Sequence, residues 1–215
     1  MIILRVVAAL VIAYCLGSIP FGLLLGRFWK KTDIRQYGSG KTGATNVMRT
    51  LGKKAAALVA ALDLSKGVLA VVCAGWLMGQ DSLNLASLKI DRVNVQMLAG
   101  LAAIAGHVWP VFYKFRGGRG VATFFGGLMV ISLPAAVLGG EALIIVAALT
   151  RFASLGSIVS VVVVYATMAA FYVLNGSPLA YILYAMFGAI AIIALHRDNI
   201  NRLLQGTERR LGEKS

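Results

Sequence analysis

The sequence predicts an all-α protein that crosses a membrane several times, and three observations carry that prediction. Of 215 residues, 59% are apolar, and the mean hydropathy is +0.82. Several apolar runs reach the roughly 17–25 residues that a bilayer-spanning helix needs. They are apolar all round, whereas a helix of a soluble core keeps a polar face. Between them lie the Lys and Arg residues, 21 against 8 acidic side chains, for a net charge of +13. The chain reads as one integral membrane domain over 1–215.

The first span runs near Ile2–Leu25. It has no convincing small-residue cleavage site, so it reads as a retained helix rather than a signal peptide. Gly17, Ser18 and Pro20 predict a broken end. The polar segment Gly26–Lys54 follows, with eight Lys/Arg and one acidic residue. The second span, Ala55–Met78, carries Asp63 and Lys66; the third lies near Val95–Phe112. After the basic loop Lys114–Gly120, residues 121–150 form either one long span or two short ones that turn near Leu138–Glu141. Ser154–Leu174 and Pro178–Leu195 complete the spans, separated by an Asn-Gly-Ser turn. Cys15 and Cys73 both fall inside apolar runs, which suits small buried hydrophobes rather than a disulfide or metal pair.

Basic residues retained on the cytoplasmic side choose between the counts. Seven spans, with the N-terminus outside and the C-terminus inside, place 17 of the 21 Lys and Arg residues in the cytoplasm. Seven is therefore the expectation and five the fallback. The same topogenic bias accounts for the charge without nucleic acid, for which no base-reading motif is present.

The stretch GSGKTGATN, Gly38–Asn46, imitates two nucleotide motifs. A P-loop needs a glycine five residues before Gly40, where this chain has Arg35, and FWKKTDIRQY is no buried strand. A dinucleotide fold would need a βαβ unit around Gly38, Gly40 and Gly43, and Asp63 lies within an apolar run instead. No nucleotide is expected. The glycine chemistry still suits an anion: Gly38 and Gly40 let backbone N–H groups approach, and Ser39, Thr42, Thr45 and Asn46 add neutral donors. Arg49 follows. A plain connector is the alternative, but that density of donors favours an anion site.

Three further constellations stand out. Gly117, Gly118 and Gly120 surround Arg119 at the start of a helical run, where glycine turns and a cation meet a helix N-terminus. In HRDNINRLLQGTERR, His196, Asn199 and Arg202 share one helix face. Asp63 and Lys66, three apart inside a span, must pair or face a polar cavity; a structural pair beside the site is the favoured reading. Ser154 and Ser157 return to the cytoplasmic side, where they serve either helix packing or ligand binding. His107, before Trp109 and Pro110, reads as packed. No metal cluster, GxSxG or C-x-x-C is present, so no metal and no serine acyl-enzyme are suggested.

Taken together, GSIPFG, GSGKTGATNVMRTLGKKAAALVAALDLSKG, GHVWPVFYKFRGGRGVATFFGG, SLGSIVS and HRDNINRLLQGTE resemble the bacterial acyl-phosphate:glycerol-3-phosphate acyltransferases, the PlsY family, over nearly the whole chain. The resemblance implies transfer of a fatty acyl group from acyl phosphate to the 1-hydroxyl of sn-glycerol 3-phosphate. The products would be lysophosphatidic acid and phosphate, at the start of phospholipid synthesis in a bacterial inner membrane, with no cofactor. It implies catalytic roles for His196, Asn199, Ser39 and Arg119. It also implies substrate binding by Gly38, Gly40, Thr45, Asn46, Arg49, Gly117, Gly118, Gly120, Ser154 and Ser157. Two positions depart from the family pattern: Lys41 replaces the usual asparagine, and Arg119 replaces the lysine of GGKG. The rival class is a transporter of an anionic metabolite, which broken spans allow.

Overall fold

A computed structural model describes every residue except 86, 87, 214 and 215. The helices are α1 (Ile2–Gly17), α2 (Phe21–Lys30), α3 (Ala44–Leu51), α4 (Lys53–Met78), α5 (Arg92–Val108), α6 (Val121–Ile131), α7 (Leu133–Thr150), α8 (Ala153–Asn175), α9 (Leu179–Leu195) and α10 (Arg197–Leu204). A small antiparallel pair, β1 (Leu83–Leu85) and β2 (Leu88–Ile90), follows α4.

The polytopic character predicted from hydropathy holds, but the count of seven crossing helices is not reached by length. Among the described residues, five helical segments are long and apolar enough to cross a membrane, and α9 with α10, bent by 59°, makes a sixth when the pair is counted as one span. The remaining apolar helix, α6, has 11 residues. At 1.5 Å per residue it spans only about 16 Å, half of a ~30 Å hydrocarbon layer. The turn placed near Leu138–Glu141 falls instead at Ser132, whose extended backbone (φ −156°, ψ 97°) separates α6 from α7. Pro134 explains the choice. It sits in the first turn of α7, where its missing N–H costs nothing, and it cannot continue α6. Gly139 and Gly140 lie inside α7.

Close helix approach organises the bundle. A glycine inside a helix costs about 1 kcal/mol relative to alanine, and here it is offset by backbone proximity. A Cβ on Gly126 would collide with the Leu64 carbonyl, and one on Gly67 with the Thr123 carbonyl, so α4 and α6 touch through their main chains. Alanines at 9, 13, 70, 74, 99 and 103 pack α1, α4 and α5 in the same manner. Tyr184 on α9 is fully buried; its hydroxyl donates to the Phe124 carbonyl at 2.8 Å, and its ring stacks on Phe124 with centroids 5.2 Å apart. This pins α9 to α6.

The first span breaks as its sequence predicts, at Ser18–Pro20, which leaves the Ile19 carbonyl outside the helical ladder. Lys66 Nζ meets that carbonyl at 3.1 Å and Asp63 Oδ1 at 2.9 Å. Asp63 also lies 3.5 Å from His107 Nδ1, which in turn is 3.3 Å from Thr123 Oγ1. The intramembrane charges are thus paired, and they tie α4 to the α1–α2 break, α5 and α6. Cys15 and Cys73 are free thiols.

The two termini lie at opposite ends of the bundle. Arg5, at the start of α1, pairs with Asp81 just beyond α4. Tyr14, near the end of α1, donates to the Trp109 carbonyl beyond α5. The C-terminal tail folds back on that second end. Leu211 N–H donates to the Arg151 carbonyl at 2.7 Å, and Arg151 Nη2 to the Leu211 carbonyl at 3.0 Å.

Candidate active site

The end of the bundle that carries the tail holds two adjoining cavities. One, of about 190 Å³, is lined largely by polar groups, among them Arg49, Arg119, Ser154, Asn199, Arg202 and Glu208. The other, of about 590 Å³, is a mostly apolar groove between α4, α6 and α7. They share Ser39, Lys41, Thr45, Arg119, Ala153, Ser157 and His196, so these seven residues stand at the junction.

The first glycine loop reaches the junction because Asn46 holds it. Asn46 is 1% exposed; its Nδ2 donates to the Ile34 and Lys41 carbonyls at 2.9 Å each, and its Oδ1 accepts the Ser39 N–H at 2.9 Å. Gly38 (φ +57°) leaves room for that amide: a Cβ there would strike Asn46 Oδ1. Gly40 (φ +67°) closes the turn, its N–H donating to the Tyr37 carbonyl at 3.1 Å, and it lines neither cavity. Asn46 therefore braces the loop with every amide atom engaged. Just beyond, α3 begins with the Ala44 and Thr45 N–H groups outside its hydrogen-bond ladder, beside the groove. Lys41, the departure in this motif, lines both cavities.

In the second loop, Gly117 N–H donates to the Val108 carbonyl and Gly118 N–H to the His107 carbonyl, each at 3.1 Å. These two glycines therefore offer no N–H to the cavities. They fold the loop against the end of α5, and Gly118 clears the His107 ring. Gly120 (φ +82°) starts α6 and lines the groove. The fold delivers Arg119 to the junction, with Nε donating to the Leu195 carbonyl at 3.2 Å. Burial pushes the Arg49 and Arg119 guanidinium groups down from their usual values, though arginine stays charged at neutral pH. Arg49 Nε is buried without a partner among the described residues.

His196 occupies the bend between α9 and α10. Its Nδ1 lies 2.7 Å from the Ile192 carbonyl, which can only accept, so the proton sits on Nδ1 and Nε2 keeps a lone pair. Burial, with Arg119 nearby, pushes this imidazole down to about 4. One turn on, Asn199 Nδ2 donates to Glu208 Oε1 at 2.6 Å, while its Oδ1 is buried without a partner among the described residues.

Glu208 escaped the sequence reading. Its side chain, 5% exposed, gathers Asn199, Ser154 (Oγ to Oε1, 2.8 Å) and Arg202 (Nε to Oε2, 2.8 Å) on one carboxylate. Burial alone would raise this carboxyl; those three hydrogen bonds outweigh it and hold it below the usual range. The available signal was a single acidic residue between Asp198 and Glu213, among Arg202, Arg209 and Arg210. Ser157 lines both cavities, although its hydroxyl donates to the Ala153 carbonyl. Asp63 and His107 line the groove behind Arg119.

A helical bundle with five or six membrane-length spans, and a cation-rich pocket opening into an apolar groove, defines a polytopic integral membrane protein with a site that joins charged and apolar surfaces. The chain belongs to the glycerol-3-phosphate acyltransferase family, whose profile matches residues 7–206. It is 55% identical over 215 residues, all of both chains, to glycerol-3-phosphate acyltransferase 3 of Dehalococcoides mccartyi strain ATCC BAA-2266. It is 42% identical over 205 residues, 95% of each chain, to glycerol-3-phosphate acyltransferase of Thermoanaerobacter pseudethanolicus. The crystal structure of PlsY, an integral membrane glycerol 3-phosphate acyltransferase, in its glycerol 3-phosphate form superposes with a TM-score of 0.83, at 37% identity over 96% of each chain. The lysophosphatidic acid form gives 0.81 at 36% identity, covering 96% of this chain and 95% of that one. The family resemblance and the integral membrane fold read from the sequence are both borne out.

Proposed function

We propose that this protein transfers an acyl group from acyl phosphate to the 1-hydroxyl of sn-glycerol 3-phosphate, giving 1-acyl-glycerol 3-phosphate (lysophosphatidic acid) and phosphate. The observation that carries this reading is the junction itself. A small cationic cavity suits two phosphates, an apolar groove suits a tail, and Ser39, Thr45, Arg119, Ser157 and His196 stand where the two meet.

In this reading Arg49 and Arg119 hold the phosphates, and the N-terminus of α3 with Ser39 and Thr45 adds neutral donors. The glycerol hydroxyl donates to His196 Nε2 and attacks the acyl carbonyl. A carbon–oxygen ester bond forms as the acyl–phosphate bond breaks. Phosphate is already a competent leaving group, so no acyl-enzyme is needed. An imidazole held near 4 is neutral at pH 7 but a weak base, so it orients the hydroxyl. The hydroxyl proton then ends on the departing phosphate, which leaves as hydrogen phosphate. The unpartnered Asn199 Oδ1 accepts from the glycerol, while Glu208 fixes that amide's direction. Gly38, Gly40, Asn46, Gly117, Gly118 and Gly120 shape the two loops, and Ser154 anchors the tail.

The basic loops at this end support a site on the cytoplasmic face of a bacterial inner membrane, with the N-terminus outside and the C-terminus inside. Reporter fusions at the two termini test that orientation.

The functional test incubates the purified protein in lipid nanodiscs with palmitoyl phosphate and labelled glycerol 3-phosphate, without CoA. Labelled lysophosphatidic acid and equimolar phosphate are expected. Folded protein that forms no product overturns the assignment. Label accumulating inside sealed vesicles without acylation points to a carrier instead.

A further inference from the structure

Gly140 is the odd glycine of this bundle. At every other glycine inside a helix, a Cβ would meet a neighbour at under 3.0 Å among the described residues; at Gly140 it would meet no heavy atom within 4 Å. The contrast with the preceding residue is direct, because Gly139 packs α7 onto Val164 and Phe125. A helix gives up stability for a glycine, and at Gly140 no close helix approach compensates it.

What lies beside Gly140 is the groove. Leu133, Val137, Gly140 and Ile144 recur at helical spacing along one face of α7 and line it, opposite Ala61 and Leu64 of α4. Leu133, Val137 and Ile144 are 55%, 49% and 66% exposed, so the groove also opens sideways. Its other end reaches Arg119 and His196. An occupant that suits both ends carries a phosphate on one side and a hydrocarbon tail on the other.

We propose that Gly140 keeps the groove open for the acyl tail, and that the space at this position sets how long a tail the enzyme accepts. This rests on the reading above that the groove holds the tail. From Ile144 to Leu133 the stripe measures about 16 Å along α7, and from Ile144 to Gly140 about 6 Å. An extended chain advances roughly 1.2 Å per bond. A side chain at 140 therefore closes the groove about five carbons past Ile144, where an unobstructed stripe takes about thirteen.

The test compares the wild type with Gly140→Leu, using octanoyl and palmitoyl phosphate as donors and labelled glycerol 3-phosphate. The palmitoyl-to-octanoyl ratio of kcat/KM falls at least tenfold in the variant; an unchanged ratio overturns the proposal. Should Gly140→Leu fail to fold, Val137→Trp, on the lipid-facing rim one turn away, carries the same comparison. A second arm measures thermal stabilisation by lysophosphatidic acids of 8 and 16 carbons, which separates the groove from the choice of donor. Wild type that turns over no acyl phosphate but gains more from 16 carbons, with that gain lost in Gly140→Leu, sinks the donor assignment and sustains the groove. Equal stabilisation of both proteins by both lipids overturns the role of Gly140.

Discussion

Arg119 Nε donates to the Leu195 carbonyl at 3.2 Å, so the glycine-rich loop grips the last residue of α9 immediately before His196. One arginine thereby supplies charge at the junction and fixes the distance between that charge and the imidazole.

Removal of Arg119 tests both roles. Arg119→Ala is expected to lower kcat by about 10²–10³, the usual loss for a donor aimed at developing charge. Arg119→Lys restores a cation without the planar fork, and recovers only part of that loss. Steady-state kinetics with glycerol 3-phosphate varied at saturating acyl phosphate check this. An alanine variant within threefold of wild type removes Arg119 from the chemistry.

The Glu208 carboxylate is the hub of the polar cavity. Glu208→Ala leaves the Asn199 amide, the Ser154 hydroxyl and the Arg202 guanidinium without their common acceptor. Arg202 is partly solvated, so the expected destabilisation is about 2 kcal/mol, below that of a fully buried ion pair. Turnover should fall with it, because Asn199 loses its orientation. Thermal unfolding in detergent and the acylation assay, measured together, decide the point. A variant with unchanged melting and unchanged rate leaves Glu208 as an idle tail residue.

His196 predicts a pH dependence. Its folded value of about 4 lies below the ordinary 6.5, so between those limits the unfolded chain binds more protons than the native one. Stability from this group rises with pH across that window, is complete above about 6.5, and is lost as the pH falls towards 4. The full effect is on the order of 3 kcal/mol. The melting difference between wild type and His196→Gln should therefore shift in favour of the wild type from pH 4.5 to pH 7. A constant difference contradicts a buried, neutral imidazole.

Lys66 tests the intramembrane network. Lys66→Met leaves Asp63, among the described residues, with only His107 beside it, and is expected to cost about 3–5 kcal/mol. Asp63→Leu combined with Lys66→Met removes both charges and should recover part of that loss. Folded yield and melting temperature in detergent report the outcome. A double variant worse than the single would show that the charges act independently.

Much of this architecture is legible in the sequence because its signals are one-dimensional. Apolar runs mark the long helices, Gly17-Ser18-Ile19-Pro20 marks a break, and the paired spacing of Asp63 and Lys66 marks their contact. The α6–α7 turn was harder. Gly139-Gly140 and Ser132-Leu133-Pro134 both signal a break, and only packing decides, since Gly139 is needed flat against α8. The loops at the site are readable as glycine and cation clusters, but individual roles within them are not. Gly117 and Gly118 resemble anion-binding glycines, yet their N–H groups return to α5. Glu208 leaves almost no trace, because its importance comes from three partners on α8 and α10 that the chain brings together only by folding its tail back.

The sideways opening of the groove has a kinetic corollary. A tail that enters past the lipid-facing side chains Leu133, Val137 and Ile144 arrives from the bilayer, so the relevant substrate scale is mole fraction in the membrane rather than molarity in the tube. At a fixed bulk amount of acyl donor, added inert phospholipid should slow the reaction as though the donor had been diluted. Added glycerol 3-phosphate, which arrives from water, should not reverse that slowing.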